Sequence, residues 1–444
     1  MYAPIEYISL GNRAATVRER SFSGGGTVSS KGRLGARQIS LVALMFAFSV
    51  LSYFDRTIMS IAGPEIMREF GLPATQMGAV YSAFILTYAL FMVPGGWIVD
   101  RLGPRATLTL MGLSAALFTG LTPLGGRPGL GSWIGVAPAL IAMRLGLGLG
   151  TAPLYTSCAR MCSRWIPPAR QARVQGLIIA GAPIGGAVSP LVFSWLMHLF
   201  HWRRAFWVAG FATAIVALVW WWYARDRPPG AEPAPLAAPS RPPTPWRALL
   251  ANRALLLVAF AYFTVGYFDY IFFYWIYYYF GAVRHMGFAS SARYTTILFL
   301  TMAAMMPLGG WMSDRLTSAW GPGIGRRAVP LAGLVLCGAL LLAGTVTSGT
   351  AATVAAMSLA IGFAAFTEGP FWAFVTEIGG DHVGAAGGIL NTGANVGGFF
   401  APVLTPWIAS WAGWSWGLYS GSLMVFAGAL ACYFADSSKG GRTN

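Results

Sequence analysis

Long apolar segments separated by short polar turns occupy most of this chain. Twelve of them are long enough to cross a bilayer as helices, because about 20 apolar residues span the hydrocarbon core. The pattern therefore predicts an all-α, polytopic membrane protein with twelve transmembrane helices. The predicted spans are residues 39–62, 76–99, 106–124, 133–160, 173–196, 204–223, 253–280, 292–313, 328–346, 351–376, 384–409 and 414–435.

The second half of the sequence repeats the first. GGWIVDRL at 95–102 returns as GGWMSDRL at 309–316, and YFD at 53–55 returns at 267–269. Predicted spans 5 and 11 share glycines, a proline and a tryptophan at a constant offset. Such internal repeats predict two pseudo-symmetric bundles of six helices, the architecture of many transporters.

Polar segments set the predicted domain boundaries. Residues 1–38 are a basic, Gly- and Ser-rich tail that is predicted to be disordered and cytoplasmic. The N-terminal bundle covers 39–224, and a Pro-rich cytoplasmic linker at 225–252 tethers the two halves. The C-terminal bundle covers 253–436 and is followed by a cytoplasmic tail at 437–444.

Composition and charge agree with a membrane protein. The chain is 56% hydrophobic and 10% charged, which leaves too little polar surface for a soluble protein of 444 residues. With the N-terminus inside, six of the 30 Lys and Arg lie outside, two lie within spans, and the remaining 22 are cytoplasmic. This asymmetry predicts that both termini are cytoplasmic, and it explains the net charge of +16 without a nucleic-acid partner. The expected location is the cell inner (plasma) membrane.

The sequence shows no assembled catalytic or metal site. The four cysteines lack metal-ligand spacing, and the acids and histidines of the predicted outer loops are scattered. No enzymatic activity, metal or cofactor is therefore expected. The expected partners are a small organic anion, protons and the lipid bilayer, and the protein is expected to be a monomer.

Charged residues inside spans are functional candidates, because each is costly unless it faces protein or water. Arg144, near the middle of span 4, is expected to bind a carboxylate through two parallel hydrogen bonds; an internal ion pair with Asp55 or Glu368 is the alternative. Asp55 and Glu368 are candidates for carrying a proton or ion. Arg56 is expected to be largely neutralised by the adjacent Asp55, and a purely structural role for this pair is the alternative. Asp269 has the same structural alternative.

Two asparagines suggest recognition of hydroxyl groups. Asn391 and Asn395 lie four residues apart, on one face of span 11. Paired amides at that depth suit a polyhydroxy ligand, and the alternative is hydrogen bonding between helices.

The repeated segment after spans 2 and 8 is a candidate cytoplasmic gate. Gly96 and Gly310 are expected to remove side chains where two helices close on each other. Charged residues beside them are expected to form a latch: Asp100 with Arg101 and Arg105, and Asp314 with Arg315 and the nearby Arg326 and Arg327. The alternative is a pair of positive loops that only fix topology.

Two six-span halves with GxxxDRxGxR after span 2, and a degenerate copy after span 8, resemble the major facilitator superfamily over about residues 38–436. YFDR at 53–56, RLGLGLGTAP at 144–153 and NTGANVGG at 391–398 resemble the anion:cation symporter family, which includes bacterial galactonate, glucarate and hexuronate carriers. The resemblance implies proton-coupled symport of a sugar acid or related carboxylate by alternating access. It also implies a proton-linked Asp55, a substrate-binding Arg144, and cavity positions for Tyr53, Tyr88 and Asn391.

One departure from the family bears on coupling. The family usually carries Glu seven residues after the span 4 arginine, where this chain has Thr151. Aligning TAPLY at 151–155 with EGPFW at 368–372 places Glu368 at the pseudo-symmetric position and pairs Trp372 with Tyr155, so Trp372 joins the predicted substrate site. We predict that the missing carboxylate has moved to Glu368; loss of tight coupling, giving a uniporter or exchanger, is the alternative.

A proton-driven efflux antiporter of the same superfamily is a further alternative. GAPIGG in span 5 has one residue too few to match the GPxxGG run that antiporters often carry, which disfavours export.

Overall fold

The computed structural model describes residues 34–229, 245–379 and 382–435, and helices account for nearly all of them. Most of the predicted N-terminal tail, the predicted C-terminal tail and most of the predicted linker lie outside the described residues, whereas residues 36–38 of the predicted N-terminal tail belong to α1. The helices are α1 (Ala36–Phe70), α2 (Ala74–Leu102), α3 (Pro104–Leu121), α4 (Gly131–Ile134), α5 (Val136–Thr151), α6 (Leu154–Trp165), α7 (Pro168–Ile179), α8 (Gly181–Tyr223), α9 (Trp246–Ala251), α10 (Arg253–Tyr278), α11 (Phe288–Trp320), α12 (Pro322–Val346), α13 (Thr350–Phe366), α14 (Glu368–Gly379), α15 (Val383–Ala412) and α16 (Trp414–Phe434).

The helices account for the twelve predicted spans. Ten helical segments of the described chain are long and apolar enough to cross a membrane. One of these, Arg173–Tyr223, contains predicted spans 5 and 6, which meet at a kink where His201 has a φ of 64°. Predicted span 11 coincides with α15, which brings the number to twelve. The predicted all-α membrane fold is confirmed.

The repeated sequence motif forms the same turn twice. Gly103 has a φ of 82° and Gly321 a φ of 81°, values that glycine adopts without steric cost. Each glycine precedes a proline that begins the next helix, where the missing N–H of proline costs no hydrogen bond. The second copy differs in that α11 continues to Trp320 before it turns.

Packing follows the two halves of the sequence. In the first half α8 packs against α1 and α3, and α5 packs against α2; in the second half α10 packs against α15 and α16, and α13 packs against α11 and α12. Three helix pairs join the halves: α2 with α15, α8 with α11, and α1 with α10. The candidate site lies between these pairs.

The halves meet closely at one end of the molecule, which we call the Gly71 face after the turn between α1 and α2. Ser82 Oγ donates a hydrogen bond to the Phe399 carbonyl at 2.6 Å. A Cβ on Gly78 would lie 2.0 Å from the Pro402 carbonyl oxygen, so only glycine allows this approach of α2 to α15.

The geometry of α15 explains why the Pro402 carbonyl is available. In a regular helix this oxygen would accept from the N–H four residues later, but residue 406 is also proline and has no N–H. Trp275 Nε1 of α10 donates to the freed oxygen at 3.0 Å. The oxygen is thus satisfied by a side chain of a neighbouring helix.

Further contacts extend this closure. Tyr81 of α2 stacks on Tyr274 of α10, with ring centroids 4.7 Å apart and planes 8° apart. Thr296 Oγ1 of α11 donates to the Ala187 carbonyl of α8 at 2.8 Å. We call these contacts and the Ser82 and Gly78 contacts the Gly71-face seal.

Candidate functional site

Arg56 lies at the boundary between the halves, inside a cage of aromatic rings. Its side chain is 5% exposed. Its Cζ is 4.6 Å from the ring centroid of Phe84, 5.0 Å from Tyr88, 5.1 Å from Tyr53 and 5.3 Å from Tyr270. Three rings come from the first half and the fourth from α10, so the cation is held by both halves.

The guanidinium of Arg56 is not neutralised by its neighbour. Its Nε and Nη2 are buried and have no hydrogen-bond partner within the described chain. Asp55 points elsewhere: its Oδ2 accepts from Thr213 Oγ1 of α8 at 2.9 Å. Successive residues of a helix point about 100° apart. The expected neutralisation of Arg56 by Asp55 is therefore wrong.

Arg144 is bound to the main chain of α1. It is 2% exposed, and its Nη1 and Nη2 donate to the carbonyls of Asp55 at 3.3 Å and Arg56 at 2.9 Å. Its Cζ also lies 4.9 Å from the Phe84 ring centroid. Among the described residues it forms no ion pair with an acid, so the alternative of an internal salt bridge is not realised. Only Nε remains buried without a partner.

Asp55 and Thr151 are the two positions of the first half that bear on proton coupling. Asp55 is 1% exposed, and its Oδ1 has no hydrogen-bond partner in the part of the chain that the structure describes. Thr151 is also 1% exposed, and its hydroxyl donates to the Leu147 carbonyl of its own helix at 2.8 Å. Where the resemblance implied a second acid, the chain therefore has a hydroxyl that is satisfied within its own helix.

A second polar cluster surrounds Glu368, which begins α14 after the break between α13 and α14. Its Oε1 accepts hydrogen bonds from the Tyr262 hydroxyl of α10 and from Trp372 Nε1, the latter at 3.2 Å. Trp372 is 40% exposed. Asp269, also on α10, has a buried Oδ1 without a partner in the described residues.

The two asparagines of α15 do not act as a pair. Asn391 Nδ2 approaches Met92 Sδ of α2 at 3.4 Å, so this residue reaches across to the other half. Asn395 is 8% exposed, and its Nδ2 donates to the Asn391 carbonyl at 2.9 Å. The structure places Asn391 at the boundary between the halves, whereas Asn395 uses its donor within α15.

The two predicted tyrosines belong to the cage around Arg56, and a third lies near them. Tyr155 of α6 is hydrogen-bonded to Ser49 of α1, with their oxygens 3.0 Å apart. The alignment of the two repeats paired Tyr155 with Trp372, but it did not predict the hydrogen bond between Tyr155 and α1.

The close glycine contacts of the predicted gate fall one residue earlier than expected. A Cβ on Gly96 or Gly310 would meet no atom within 4 Å. On Gly95 it would lie 3.1 Å from Pro153 Cβ, and on Gly309 it would lie 1.8 Å from the Phe366 carbonyl oxygen. The expectation for Gly96 and Gly310 is wrong, because one residue of a helix turns the face by about 100°.

The charges after α2 have partners other than those predicted. Asp100 pairs with Arg160 at 3.6 Å, and both side chains are about half exposed or more. Arg101 lies over the Trp97 ring, with Cζ 3.6 Å from its centroid. Arg105 donates from Nη2 to the Trp221 carbonyl at 2.7 Å, and its backbone N–H donates to Asp226 at 3.0 Å. Asp226 thus joins the ends of α8 and α3.

The second copy forms a tighter charged cluster. Arg326 of α12 contacts Asp314 of α11 and Glu377 of α14, each at 2.8 Å. Arg315 instead lies over the Trp311 ring, with Cζ 5.5 Å from its centroid. Of the cations named from sequence, Arg326 rather than Arg315 pairs with Asp314.

A twelve-span helical fold built from two repeats, with buried charges where the repeats meet, is typical of membrane transporters. The sequence profile of the Major Facilitator Superfamily matches residues 45–379 and 294–444. The chain therefore belongs to the major facilitator superfamily, whose members are transporters, and the expectation that it is not an enzyme is confirmed.

Similar proteins carry sugar acids. The hexuronate transporter of Bacillus subtilis (strain 168) is 28% identical over 407 residues, which cover 89% of this chain and 94% of that protein. The D-galactonate transporter of Escherichia coli O6:H1 is 27% identical over 89% of this chain and 95% of that protein. The predicted resemblance to sugar-acid transporters is thereby confirmed.

A solved structure shares the fold. A bacterial homologue of the human lysosomal transporter Spinster, in an inward-facing and occupied conformation, matches 91% of this chain and 97% of its own with a TM-score of 0.75. Sequence identity is 17%, so this likeness supports the fold alone.

Proposed function

We propose that this protein transports a small organic anion, a sugar acid or related carboxylate, by alternating access, and that Arg56 holds the carboxylate. The observation that carries the proposal is the buried Arg56 guanidinium with two nitrogens that lack partners in the described residues. An unpaired buried cation is costly unless something compensates it, and a carboxylate matches the planar donor geometry of arginine. The transport of hexuronate and galactonate by similar proteins supports the same class of substrate.

Arg144 then has a positioning role beside Arg56. Its bonds to the Asp55 and Arg56 carbonyls fix the part of α1 that presents Arg56. Its free Nε leaves it as a second contact for the anion. Tyr53, Tyr88 and Asn391 surround the ligand in this proposal.

Proton coupling is proposed to use the buried acids. Asp55 offers Oδ1, and Glu368 occupies the position in the repeat that corresponds to Thr151. Protonation neutralises a buried acid and lowers the cost of moving it during reorientation. Because Thr151 cannot titrate, an uncoupled uniporter or exchanger remains the second candidate, and equal transport with and without a proton gradient would favour it.

In the proposed orientation both termini are cytoplasmic, the membrane is the bacterial inner membrane, and the protein acts as a monomer. The Gly71 face is then outside, and its seal closes the outer side of the substrate path. The Asp100 and Asp314 clusters face the cytoplasm, where their opening accompanies substrate release.

The test is thermal stabilisation of the detergent-purified chain by a panel of small acids. A ligand at about a hundred times its Kd adds roughly 2.7 kcal/mol of stability. Arg56→Gln removes two charge-assisted hydrogen bonds and is expected to weaken binding at least about a hundredfold. Arg56→Lys keeps the charge but not the planar fork, so its affinity should be intermediate.

The matched control is Arg204→Gln, which removes an exposed arginine of α8 and should leave binding unchanged. Arg144→Gln distinguishes the role of Arg144 from that of Arg56. A positioning role for Arg144 predicts that this variant has lower thermal stability together with weaker ligand binding. If an acid stabilises Arg56→Gln as strongly as the unmodified protein, Arg56 does not hold the carboxylate.

A further inference from the structure

A tyrosine of the C-terminal half lies against the two buried arginines of the first half. Tyr274 belongs to α10, is fully buried, and its hydroxyl has no hydrogen-bond partner within the described chain. We propose that this hydroxyl donates a hydrogen bond to the bound anion, and that the anion thereby helps to close the Gly71-face seal. This inference rests on the proposed anion transport and adds a ligand from the C-terminal half to the same site.

The position of Tyr274 follows from the face of α10 that contacts the first half. Tyr270 and Tyr274 are four residues apart, so both side chains lie on one face of the helix, and their ring centroids are 5.8 Å apart. On this face the Tyr270 ring centroid lies 5.3 Å from Cζ of Arg56, and the Tyr274 ring stacks on Tyr81 of α2. Tyr274 therefore joins the aromatic cage around Arg56 to the seal.

The two buried arginines border this tyrosine. Cζ of Arg56 and Cζ of Arg144 lie 4.6 and 4.9 Å from one ring centroid, that of Phe84. Phe84 comes three residues after Tyr81 and lies on the same face of α2. Tyr274 is within electrostatic range of both guanidinium groups. Arginine has donors but no acceptor, so neither group can accept the hydroxyl hydrogen.

Four donors at this boundary have no partner in the described residues: Nε and Nη2 of Arg56, Nε of Arg144 and the hydroxyl of Tyr274. Asp55 does not serve them, because it accepts from Thr213 of α8 and forms no bond to any of the four. A buried donor without an acceptor is costly, whereas a carboxylate offers two oxygens with about four acceptor positions. One anion would therefore satisfy donors from both halves.

The link to the seal follows because the donors belong to different halves. Arg56 and Arg144 are part of the first half, whereas Tyr274 moves with α10 when the Gly71 face opens. Its hydroxyl then reaches the anion only in the form that is closed at this face. A ligand shifts an equilibrium only by its differential affinity for the two forms. The factor that the hydroxyl adds to the affinity is therefore also the factor by which it favours the closed form.

Calorimetric titration of the purified full chain with galactonate and with glucuronate measures the contribution of the hydroxyl. Tyr274→Phe keeps the ring that stacks on Tyr81 and should bind both acids at least about tenfold more weakly, because a hydrogen bond to a charged group is lost. Its unfolding temperature without ligand should not fall, since the removed hydroxyl has no partner in the described chain.

The matched control is Tyr267→Phe, which removes a hydroxyl from the same helix. The Tyr267 hydroxyl is hydrogen-bonded to Ser420 of α16, with their oxygens 3.0 Å apart. This variant should therefore keep both affinities and unfold at a lower temperature. A purely structural tyrosine at 274 would behave in the same way as Tyr267.

The link to the seal is tested with spin labels at Gln76→Cys and Ala412→Cys, whose separation distinguishes the closed from the open form. Saturating galactonate should raise the ratio of closed to open forms about tenfold more in the protein with Tyr274 than in Tyr274→Phe. Equal responses of the two proteins would overturn the inference.

Unchanged binding of both acids by Tyr274→Phe would also overturn it. If Tyr274→Phe does not fold, Tyr274→Leu provides the test and should lose affinity by the same factor. Loss of binding in Arg56→Gln together with unchanged binding in Tyr274→Phe refutes this inference alone. Binding that survives in Arg56→Gln, or failure of the unmodified protein to bind either acid, refutes the proposed anion site itself.

Discussion

Replacing Gly78 by alanine should weaken the Gly71-face seal and open that side of the protein. The added Cβ would lie 2.0 Å from the Pro402 carbonyl oxygen and 2.9 Å from its carbon. Since a carbon and an oxygen rarely approach within about 3.3 Å, α2 must move away from α15 by roughly 1.3 Å. Both obstructing atoms are main-chain atoms, so rotation of a side chain does not relieve the contact.

The cost follows from the contacts that this movement breaks. The Ser82 hydrogen bond of 2.6 Å would lengthen to about 3.9 Å and be lost, at about 1 kcal/mol. Separation of the stacked Tyr81 and Tyr274 rings costs about another 1 kcal/mol. A total of about 2 kcal/mol shifts the ratio of closed to open forms by roughly 30-fold.

Pulsed electron paramagnetic resonance measures this shift through the distance between spin labels attached at Gln76→Cys and Ala412→Cys. These positions lie near the Gly71-face ends of α2 and α15. The native cysteines at 158, 162, 337 and 432 are buried, which limits background labelling. Gly96→Ala on the same helix is the matched control, because its Cβ would meet no atom within 4 Å. If Gly78→Ala and Gly96→Ala give the same distance distribution, the close approach of α2 to α15 does not maintain the closed form.

Two further predictions concern stability. Thr213→Val removes the hydroxyl that donates to Asp55, so it should lower the free energy of unfolding by about 1–3 kcal/mol, and Thr213→Ser should restore it. Denaturant unfolding measures both variants. A valine variant as stable as the unmodified protein would contradict the assigned hydrogen bond. Arg326→Gln removes contacts to Asp314 and Glu377 and should cost about 1–2 kcal/mol, more at low salt, whereas Arg160→Gln should cost about 0.5 kcal/mol or less because its pair is longer and more exposed. Equal losses in these two variants would show that the charged clusters of the two repeats are equivalent.

The fold was largely predictable because it depends on properties that a sequence states directly. The length of apolar runs defines membrane spans, and the repeated GGW and DRL segments define the duplication. The positive φ at Gly103 and Gly321 follows from the glycine–proline pairs at these turns. The predicted boundary between spans 5 and 6 contains His201, which turns the chain although no proline or glycine is present there.

The site was less predictable because it depends on where each side chain points. Because of its depth in the membrane, Arg144 was predicted to bind the carboxylate. Two of its nitrogens instead donate hydrogen bonds to carbonyls of α1. Adjacency suggested that Asp55 neutralises Arg56, although helix geometry separates consecutive side chains by about 100°. That rule was already available from the sequence, and it would have directed attention to Arg56. The ring of Tyr270 was beyond such reasoning, since it arrives from the other half of the chain.

The partners of the charged residues in the predicted gate could be identified only from the packed structure. Asp314 forms an ion pair with Arg326, across the turn at Gly321, and not with the adjacent Arg315. Asp226, just after α8, accepts a hydrogen bond from the backbone N–H of Arg105. Asp314 and Arg326 are 12 residues apart, whereas Arg105 and Asp226 are 121 residues apart. The sequence named one side of the contacts with Arg160, Asp226 and Glu377 but did not name these three residues as partners.

The proline pair at 402 and 406 determines which positions near the Gly71-face seal can vary. Ser82 and Trp275 both donate to main-chain carbonyls of α15, at Phe399 and Pro402. A carbonyl is present whatever the side chain, so residue 399 can vary without loss of its acceptor. Residue 406 is different, because any residue but proline would supply an N–H that competes with Trp275 for the carbonyl of residue 402. Pro406 therefore keeps the Pro402 carbonyl available to Trp275, at the point where α2 approaches α15.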